Sequence, residues 1–463
     1  MIPEAISFSI IAGVAPRVGL YASFTMAVTI AIAGGRPAMI SAATGAMALV
    51  IIGLVRDHGL EYLLAATILA GLIQLVLGLL GIARLMRFVP RSVTVGFVNA
   101  LAILIFAAQV PQLREGGAVG LALVLGGLVL IIFLPRLTTA VPSPLIAIIV
   151  VSALVITGHI DVPTVGDQGL LPDSFPIPGL PAVPFSFDTL RIILPYSVAL
   201  AAVGLLESLM TARIVDGITD TRSNKDRESS GQGIANVVTG FFGGMAGCAM
   251  IGQTIINVKV SGARTRLSTF AAGVFLLALV LGMGGLVGRI PMPALVAVMI
   301  IVSVSTFDWH SVQPATLRRM PRSETLVMVV TVAATVATEN LAIGVGLGVL
   351  TAMALFARRV AHLIDVDRVV SPAGDAVTYV VSGELFFASN QEFIDAFDYH
   401  DDPAHVTIDF TKAHIWDASS VAALDAVTER YRDHYGTLVD ITGMNQFSSA
   451  IHGRLSGELA GSH

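Results

Sequence analysis

Long apolar runs separated by short polar segments fill the chain as far as about residue 362. We count fourteen of these runs, and several are shorter than the roughly 20 residues that a helix needs to cross a bilayer. The short runs predict broken helices or half-spans among full transmembrane helices. The predicted spans are 2–16, 19–34, 40–55, 61–83, 89–109, 118–135, 141–157, 190–215, 231–246, 251–260, 267–287, 291–306, 325–338 and 341–360.

Two of the short runs begin in a way that ordinary transmembrane helices do not. Residues 37–48 and 247–257 each open with residues that suit an extended chain and then turn helical at a cluster of Gly, Ser or Thr. A helix that begins in mid-membrane leaves its first backbone N–H groups unpaired and its positive dipole end exposed. Two such ends facing each other form an anion site without a buried Arg or Lys.

The predicted anion site combines backbone N–H groups with side-chain donors at the two helix starts. The alternative interpretation is that small residues here only allow helices to pack closely. The recurrence of the break within one chain favours the site. The candidate substrate-binding residues are Ala43, Thr44, Gly45, Ala46, Gly252, Gln253 and Thr254, with Ser41 as a further side-chain donor.

The composition agrees with a membrane protein. The chain is 55% hydrophobic and 13% charged, with a mean hydropathy of +0.82, whereas a soluble chain carries about 25% charged residues. A net charge of −5 argues against a nucleic-acid partner, and the single cysteine, Cys248, excludes an intramolecular disulfide. Because the sequence has no nucleotide-binding loop and no Cys/His metal spacing, we expect neither an enzyme, nor an ATP-driven pump, nor a bound cofactor or metal.

Basic residues alternate between the loops. The loops after even-numbered spans and their edges hold seventeen Lys and Arg residues, Arg84 and Arg87 among them, and the odd-numbered loops hold five. The positive-inside rule therefore predicts that the even loops and both termini are cytoplasmic. The first span starts at residue 1 without a polar leader, and Ile2 to Gly13 is too short to cross the membrane at ~1.5 Å per residue. We therefore expect the native start to lie upstream. A cleaved signal peptide, the alternative, would need a basic leader that is absent.

The chain divides into two halves. A Pro-rich loop at about 158–189, without Lys or Arg, separates seven spans from seven. An odd number of spans in each half gives the halves opposite topology, which predicts a polytopic α-helical membrane protein with a 7+7 inverted repeat of fourteen segments. The helix break lies in the third span of each half. Each half also has an acidic residue in its first span, since Glu4 precedes Thr44 by 40 residues and Glu207 precedes Gly252 by 45.

These acidic residues are the candidates for coupling to a cation. Placing an ionisable side chain as deep in the membrane as Glu207 costs free energy, and such residues are usually functional. We therefore interpret Glu207 as a site for a proton or, together with Thr211, for sodium. The alternative is a protonated Glu207 that is hydrogen-bonded between helices. Glu4 follows Pro3 in a first helical turn, where it either lines the same cavity or caps the helix.

The tail after about residue 375 has the pattern of a small cytoplasmic α/β domain. We divide the chain into a transport domain (1–363), a linker (364–374) and the tail domain (375–463). The charge run 220–228 is expected to be a solvated loop, and Glu339 with Asn340 a solvated turn. The tail should contain strands at 377–382, 405–410 and 437–441 and helices at 389–399, 419–434 and from 446, the first opened by a capping box at Ser389–Glu392.

Several motifs, taken in order, resemble the sulfate permease (SulP) family, the bacterial relatives of solute carrier family 26, and the tail resembles its STAS domain. The resemblance implies a fourteen-segment 7+7 inverted repeat with gate and core domains, as in nucleobase carriers. It also implies anion transport, a homodimer, and a place in the inner membrane of a bacterium. The motifs are residues 2–9, 19–22, 231–236, 240–244 and 257–266.

Some positions depart from the family pattern. Vertebrate members often carry Arg where this chain has Gln253. A sodium-coupled bicarbonate branch has Asp at Glu207 and Thr at Ile251, although Thr211 matches that branch. These departures leave the substrate and the coupling ion open. In the tail, Asp417-Ala-Ser419-Ser420 resembles a loop that carries a phosphorylatable Ser, which makes Ser419 a regulatory candidate, although simple capping of the helix is the favoured interpretation.

The sequence thus predicts a secondary active transporter of a small inorganic anion, first of all sulfate, coupled to H⁺ or Na⁺ by alternating access. The alternatives are a sodium-coupled bicarbonate transporter, an uncoupled anion channel or exchanger, and a membrane-tethered signalling protein with the tail as its output. A buried acid favours coupling, because a channel gains nothing from a negative charge beside its anion path. The presence of both helix breaks favours a transporter over a signalling protein. The STAS-like tail argues against a nucleobase carrier.

Overall fold

The computed structural model describes residues 1–81, 89–137, 141–361 and 364–457. Two compact units, Met1–Val349 and Leu350–His463, divide the chain, and the boundary falls within its last membrane helix, Leu341–Ala361. Arg84 and Arg87 of the basic-residue pattern lie outside the described residues, as do the predicted end of the transport domain at 362–363 and the last residues of the tail, 458–463.

The first half of the membrane unit contains seven spans. Its elements are α1 (Ile2–Ile11), α2 (Pro16–Ala33), β1 (Ser41–Ala43), α3 (Gly45–His58), α4 (Leu60–Leu79), α5 (Arg91–Ala107), α6 (Val110–Glu115), α7 (Gly117–Phe133) and α8 (Ser143–Thr157).

The second half repeats this order. Its elements are α9 (Phe187–Thr219), α10 (Lys225–Phe241), β2 (Gly247–Ala249), α11 (Ile251–Ile255), α12 (Arg266–Gly288), α13 (Met292–Thr306), α14 (Pro314–Arg319), α15 (Arg322–Thr338) and α16 (Leu341–Ala361). A π-helical turn at Ile256–Val260 prolongs α11. Within the described residues, seven helices are long and apolar enough to cross a membrane, and α1, α8 and α13 are shorter apolar helices.

The membrane helices pack as two groups. In one, which we call the core group, α2 contacts α1, α10 and α12, while α9 contacts α3, α4 and α10. In the other, the gate group, α5 contacts α13 and α15, while α7 and α8 contact each other and α13. Both halves of the sequence contribute to each group, as expected for an inverted repeat with core and gate domains.

The two broken spans meet through a short antiparallel strand pair. Ser41, Ala42 and Ala43 of β1 pair with Ala249, Cys248 and Gly247 of β2, in that order. All six residues are buried, and the pairing supplies partners for backbone groups that lipid cannot satisfy. A Cβ on Gly247 would lie 2.5 Å from the carbonyl oxygen of Ala42, so this close approach requires glycine. The predicted helix break in the third span of each half is therefore present in the fold.

Two expectations about the membrane unit are wrong. The first span does not continue to residue 16, because α1 ends at Ile11 and α2 begins at Pro16. The charge run 220–228 is not entirely a solvated loop. Asn224 caps α10 by accepting from the N–H of Arg227, and Glu228 is completely buried. The Glu228 carboxylate is satisfied there because it accepts hydrogen bonds from the backbone N–H groups of Gly35 and Arg36 at 2.8 and 3.0 Å.

The second unit contains a four-stranded sheet with the strand order β3-β4-β5-β6. Strands β3 and β4 are antiparallel, whereas β4–β5 and β5–β6 are parallel and separated by helices. The elements are β3 (Asp365–Val370), β4 (Ala376–Leu385), α17 (Asn390–Asp395), β5 (His405–Ile415), α18 (Ala418–Arg430), β6 (Leu438–Thr442) and α19 (Gln446–Leu455).

The structure corrects three predictions in this unit. The predicted linker, 364–374, contains β3, an edge strand that pairs with β4 along its whole length. The predicted capping box is absent, because the Ser389 hydroxyl donates to the carbonyl oxygens of Glu384 and Phe386 and does not cap α17. The helix there is also shorter than expected, since it ends at Asp395.

A buried carboxylate ties β3 to the rest of the tail. Asp402 accepts hydrogen bonds from the hydroxyls of Tyr379 and Tyr431 at 2.6 and 2.5 Å, and it lies 2.8 Å from Nη2 of Arg368 on β3. Burial, together with these hydrogen bonds, raises the pKa of Tyr431 above its ordinary value. The segment predicted to be a linker is therefore held by an ion pair as well as by strand pairing.

Candidate anion and cation site

The two helix starts differ in how they are capped. At α3 the Thr44 hydroxyl accepts from the N–H of Met47 at 3.4 Å, so Thr44 is the N-cap. At α11 no side-chain cap is present in this described segment, and the helix begins directly after β2. In both helices the N–H groups of the first turn have no acceptor inside the helix. These groups are the backbone donors that an anion would use.

A cavity of about 510 Å³ lies between the core and gate groups and reaches both helix starts. Thr44, Gly45, Gly252 and Gln253 line it. Its remaining lining is mostly apolar and comes from α1, α5, α8, α11 and α13. Of the predicted cation-coupling residues, Glu4 and Glu207 also line this cavity.

The other predicted donors are buried beside the cavity and turned away from it. Ala43 and Ala46 are fully buried. The Thr254 hydroxyl accepts from the N–H of Ile40 at 3.0 Å, so it supports the segment before β1. The Ser41 hydroxyl accepts from Nε2 of Gln232 at 2.7 Å. The tertiary contacts of Thr254 and Ser41 thus give them a role in holding the strand pair.

Glu207 is the buried acid at the inner wall of the cavity and is only 6% exposed. Its Oε2 lies 2.9 Å from the Cys248 thiol and 3.5 Å from the Thr44 hydroxyl, and both groups donate to it. No Lys or Arg forms an ion pair with Glu207 in the part of the chain that the structure describes. The hydroxyl of Thr211 donates to the backbone oxygen of Glu207 at 2.8 Å and not to its carboxylate.

Glu4 and Gln253 contact each other across the cavity. Nε2 of Gln253 donates to Oε1 of Glu4. Gln253, which we predicted to bind the anion, is therefore hydrogen-bonded to Glu4, which we predicted to bind the cation. Among the described side chains that line the cavity there are two carboxylic acids and no Lys or Arg. An anion in this cavity would depend on helix dipoles and on neutralisation of the acids.

Sequence reasoning missed the residues that hold the strand pair in place. Asn236 receives a hydrogen bond from the N–H of Gly247 at 2.8 Å and donates one to its carbonyl oxygen at 3.1 Å. The Ser208 hydroxyl accepts from the N–H of Ala249 at 3.1 Å. Asn236 lies in the 231–236 motif that supported the resemblance. The motif alone did not indicate that Asn236 would be hydrogen-bonded to Gly247, 11 residues later.

In the tail, the start of α18 is capped by Asp417. Its Oδ1 accepts from the N–H of Ser420 at 2.9 Å and from the Ser420 hydroxyl at 2.7 Å. Ser419 is exposed at this helix start, so the cap is Asp417 and not Ser419. Whether Ser419 is regulatory stays a prediction.

The fold and the cavity define a class of protein. Paired broken helices of opposite topology that meet at a cavity are typical of secondary transporters. The model of the sulfate permease family matches residues 1–118 and 116–331. The chain therefore belongs to the sulfate permease family and is a multi-pass membrane anion transporter, not an enzyme.

Similar proteins agree with this assignment. YbaR of Bacillus subtilis (strain 168), which is named for sulfate transport, is 55% identical over 453 residues that cover 97% of this chain and 93% of YbaR. The bicarbonate transporter BicA of a Picosynechococcus species is 28% identical over 84% of this chain and 74% of its own length.

Solved structures show the same fold. The transmembrane domain of a cyanobacterial bicarbonate transporter BicA matches with a TM-score of 0.65 at 27% identity and covers 74% of this chain and 93% of that domain. Murine solute carrier 26 family member A9, in its inward-facing state, matches with a TM-score of 0.82 over 98% of this chain and 85% of its own. At 15% identity this second likeness concerns the fold alone, and it extends over the tail.

Proposed function

We propose that the protein is a secondary active transporter that moves a small inorganic anion, first of all sulfate, together with H⁺ or Na⁺ by alternating access. The observation that carries the proposal is that two helix starts and the buried acid Glu207 share one cavity. The helix starts attract an anion, and the acid requires a cation or a proton in the same space.

The anion site should be weak enough for rapid turnover. Each helix dipole contributes roughly 0.3–1 kcal/mol when exposed and up to ~2 kcal/mol when partly buried, and a hydrogen bond to a charged group contributes roughly 1.5–3 kcal/mol. These gains oppose the cost of removing water from the anion, which is large for a dianion. Because Gln253 carries no charge and the described residues that line the cavity include no Lys or Arg, release of the anion should be easy.

The positions of two cavities support alternating access. By the predicted topology, the lining segments at 142–145 and 305–306 adjoin cytoplasmic loops, so the larger cavity faces the cytoplasm. A second cavity of about 300 Å³, lined by residues at 108–112 and 292–296, adjoins the opposite loops. Phe8 and Ile105, which pack around Gly45, line the larger cavity. Movement of the gate group against the core group would then open one cavity and close the other.

Relatives and the resemblance suggest the substrate and the assembly. YbaR's name favours sulfate, whereas the bicarbonate transporter BicA supports bicarbonate as the second candidate. The distribution of basic residues supports cytoplasmic termini and a cytoplasmic tail in the inner membrane of a bacterium. A homodimer is implied by the family resemblance.

Uptake by proteoliposomes that contain the purified protein tests the function. Labelled sulfate and labelled bicarbonate are offered separately, with and without an inward sodium gradient and an inward proton gradient. Accumulation of either anion above equilibrium under one gradient supports a coupled transporter. Anion flux that only relaxes to equilibrium under every gradient would identify an uncoupled channel or exchanger.

A further inference from the structure

The Glu207 carboxylate belongs to a closed triangle of three buried groups that come from three separate elements. Oε2 of Glu207 on α9 lies 2.9 Å from the Cys248 thiol on β2 and 3.5 Å from the Thr44 hydroxyl at the start of α3. The thiol and the hydroxyl are themselves 3.1 Å apart. We propose that Cys248 and Thr44 make Glu207 a proton site that excludes sodium, so that H⁺ is the coupling ion. The inference rests on the proposed coupled transport.

The triangle suits a proton because its hydrogens can rotate while the heavy atoms stay in place. When Glu207 is ionised, the thiol and the hydroxyl both donate to it. When it is protonated, the acid can donate to the Thr44 hydroxyl, which then donates to the Cys248 sulfur. Either of these two atoms can be the donor at their separation of 3.1 Å. Both protonation states are therefore hydrogen-bonded without a repacking of the core.

Sodium would find few suitable ligands here. Hard cations prefer several oxygen ligands, and sulfur is a poor substitute. Two oxygens of this region already accept hydrogen bonds, the Ser208 hydroxyl from the N–H of Ala249 and the Gly247 carbonyl from Asn236, while the Thr211 hydroxyl donates to the Glu207 backbone. A sodium ion at Oε2 of Glu207 would have to displace the thiol that donates to it.

Thr44 connects the proton to the anion. Its hydroxyl is one corner of the triangle, and the same oxygen caps α3 by accepting from the N–H of Met47 at 3.4 Å. A change in the protonation of Glu207 changes where this hydroxyl points its hydrogen. The proton therefore acts directly on one of the two helix starts that would bind the anion.

Few charged groups face Glu207 from the elements packed around it. The elements packed against α9 near Glu207 present the neutral amides of Gln74 on α4 and Asn236 on α10, together with Cys248. Glu4 lies across the same cavity, and α11 presents Gln253. On α10, Glu228 is bound to backbone N–H groups of residues 35–36.

The decisive experiment uses the parent protein in proteoliposomes with radiolabelled sulfate, or bicarbonate if sulfate is not transported. We expect an inward proton gradient without sodium to drive accumulation, with acidification of the lumen reported by an entrapped dye. A sodium gradient at equal pH should drive none. Sodium-driven accumulation would overturn the proton inference and leave coupled transport standing. Exchange without accumulation under either gradient would overturn both proposals.

Two variants test the role of Cys248 as a positioning residue. Cys248→Ala removes one donor from a charged group, so the pH at which uptake is half-maximal should shift upward by about one to two units. Cys248→Ser restores a donor and should return the profile to that of the parent. Thermal unfolding of each purified variant in detergent verifies that the variant is folded. A folded Cys248→Ala variant that keeps the parent's pH profile would refute the assignment.

Discussion

Replacement of Gly252 by leucine should block the anion site without disturbing the fold. A Cβ on Gly252 meets nothing within 4 Å, and this residue lies on the cavity wall in the first turn of α11. The side chain would project into the cavity and cover backbone donors. If the anion loses one charge-assisted hydrogen bond, worth roughly 1.5–3 kcal/mol, its affinity should fall about ten- to a hundredfold.

Gly45, at the other helix start, provides the matched comparison. A Cβ there would lie 2.8 Å from a ring carbon of Phe8 and 3.0 Å from Ile105. Gly45→Leu should therefore also strain the packing, at a cost of about 1–3 kcal/mol. Gly252→Leu should leave thermal stability unchanged or slightly raised, because glycine is unfavourable in helices by roughly 0.5–1 kcal/mol.

The assay is the concentration dependence of uptake in proteoliposomes, together with thermal unfolding of each purified variant in detergent. Gly252→Ala is the mild control and should retain most of the parent's affinity. If Gly252→Leu transports with the affinity and rate of the parent, the anion does not bind at the start of α11. If Gly252→Leu unfolds as early as Gly45→Leu, the position is not the open one described above.

Four further outcomes are expected. Glu207→Gln should abolish accumulation driven by a cation gradient and retain anion exchange, measured by counterflow; unchanged ion dependence would exclude Glu207 as the coupling residue. Gln253→Arg should lower the half-saturating anion concentration and slow release, which single-turnover efflux would detect, because it adds a fixed positive charge beside Glu4. Deletion of 364–463, which also removes the strand β3, should leave an inserted membrane unit with altered uptake, and loss of insertion would contradict the division into two units. Asp402→Ala should destabilise the tail by about 3 kcal/mol, because the buried hydroxyls of two tyrosines and a partly exposed Arg lose their acceptor. Limited proteolysis of the full chain would then cleave the tail earlier than in the parent.

The sequence by itself determined the elements whose causes are local. Apolar length marked the spans, and the observed helices begin and end within a few residues of the predicted ones in most cases. Clusters of small and polar residues marked the two helix breaks, because glycine and threonine favour turns and caps over helix interiors. The depth of Glu207 in an apolar run indicated a functional acid. The family resemblance agreed with these features over nearly the whole chain.

Only the tertiary structure decided the direction of side chains and the partners of buried polar groups. Cys248 drew attention in the sequence only because it excludes a disulfide, yet the register that pairs it with Ala42 brings its thiol to Glu207, 41 residues away. Glu228 looked solvated within a charged run, but backbone N–H groups some 190 residues earlier in the chain make its burial possible.

Tertiary contacts also explain why some predicted site residues do not line the cavity. Thr254 is a plausible anion donor by its position in the chain, but the pairing of the two broken spans turns its hydroxyl to Ile40. The predicted linker became β3 because β4 offers it a hydrogen-bonding edge. Hydrophobic periodicity depends on neighbours in sequence and can be read directly, whereas strand register and buried hydrogen bonds depend on residues that are brought together only when the chain has folded.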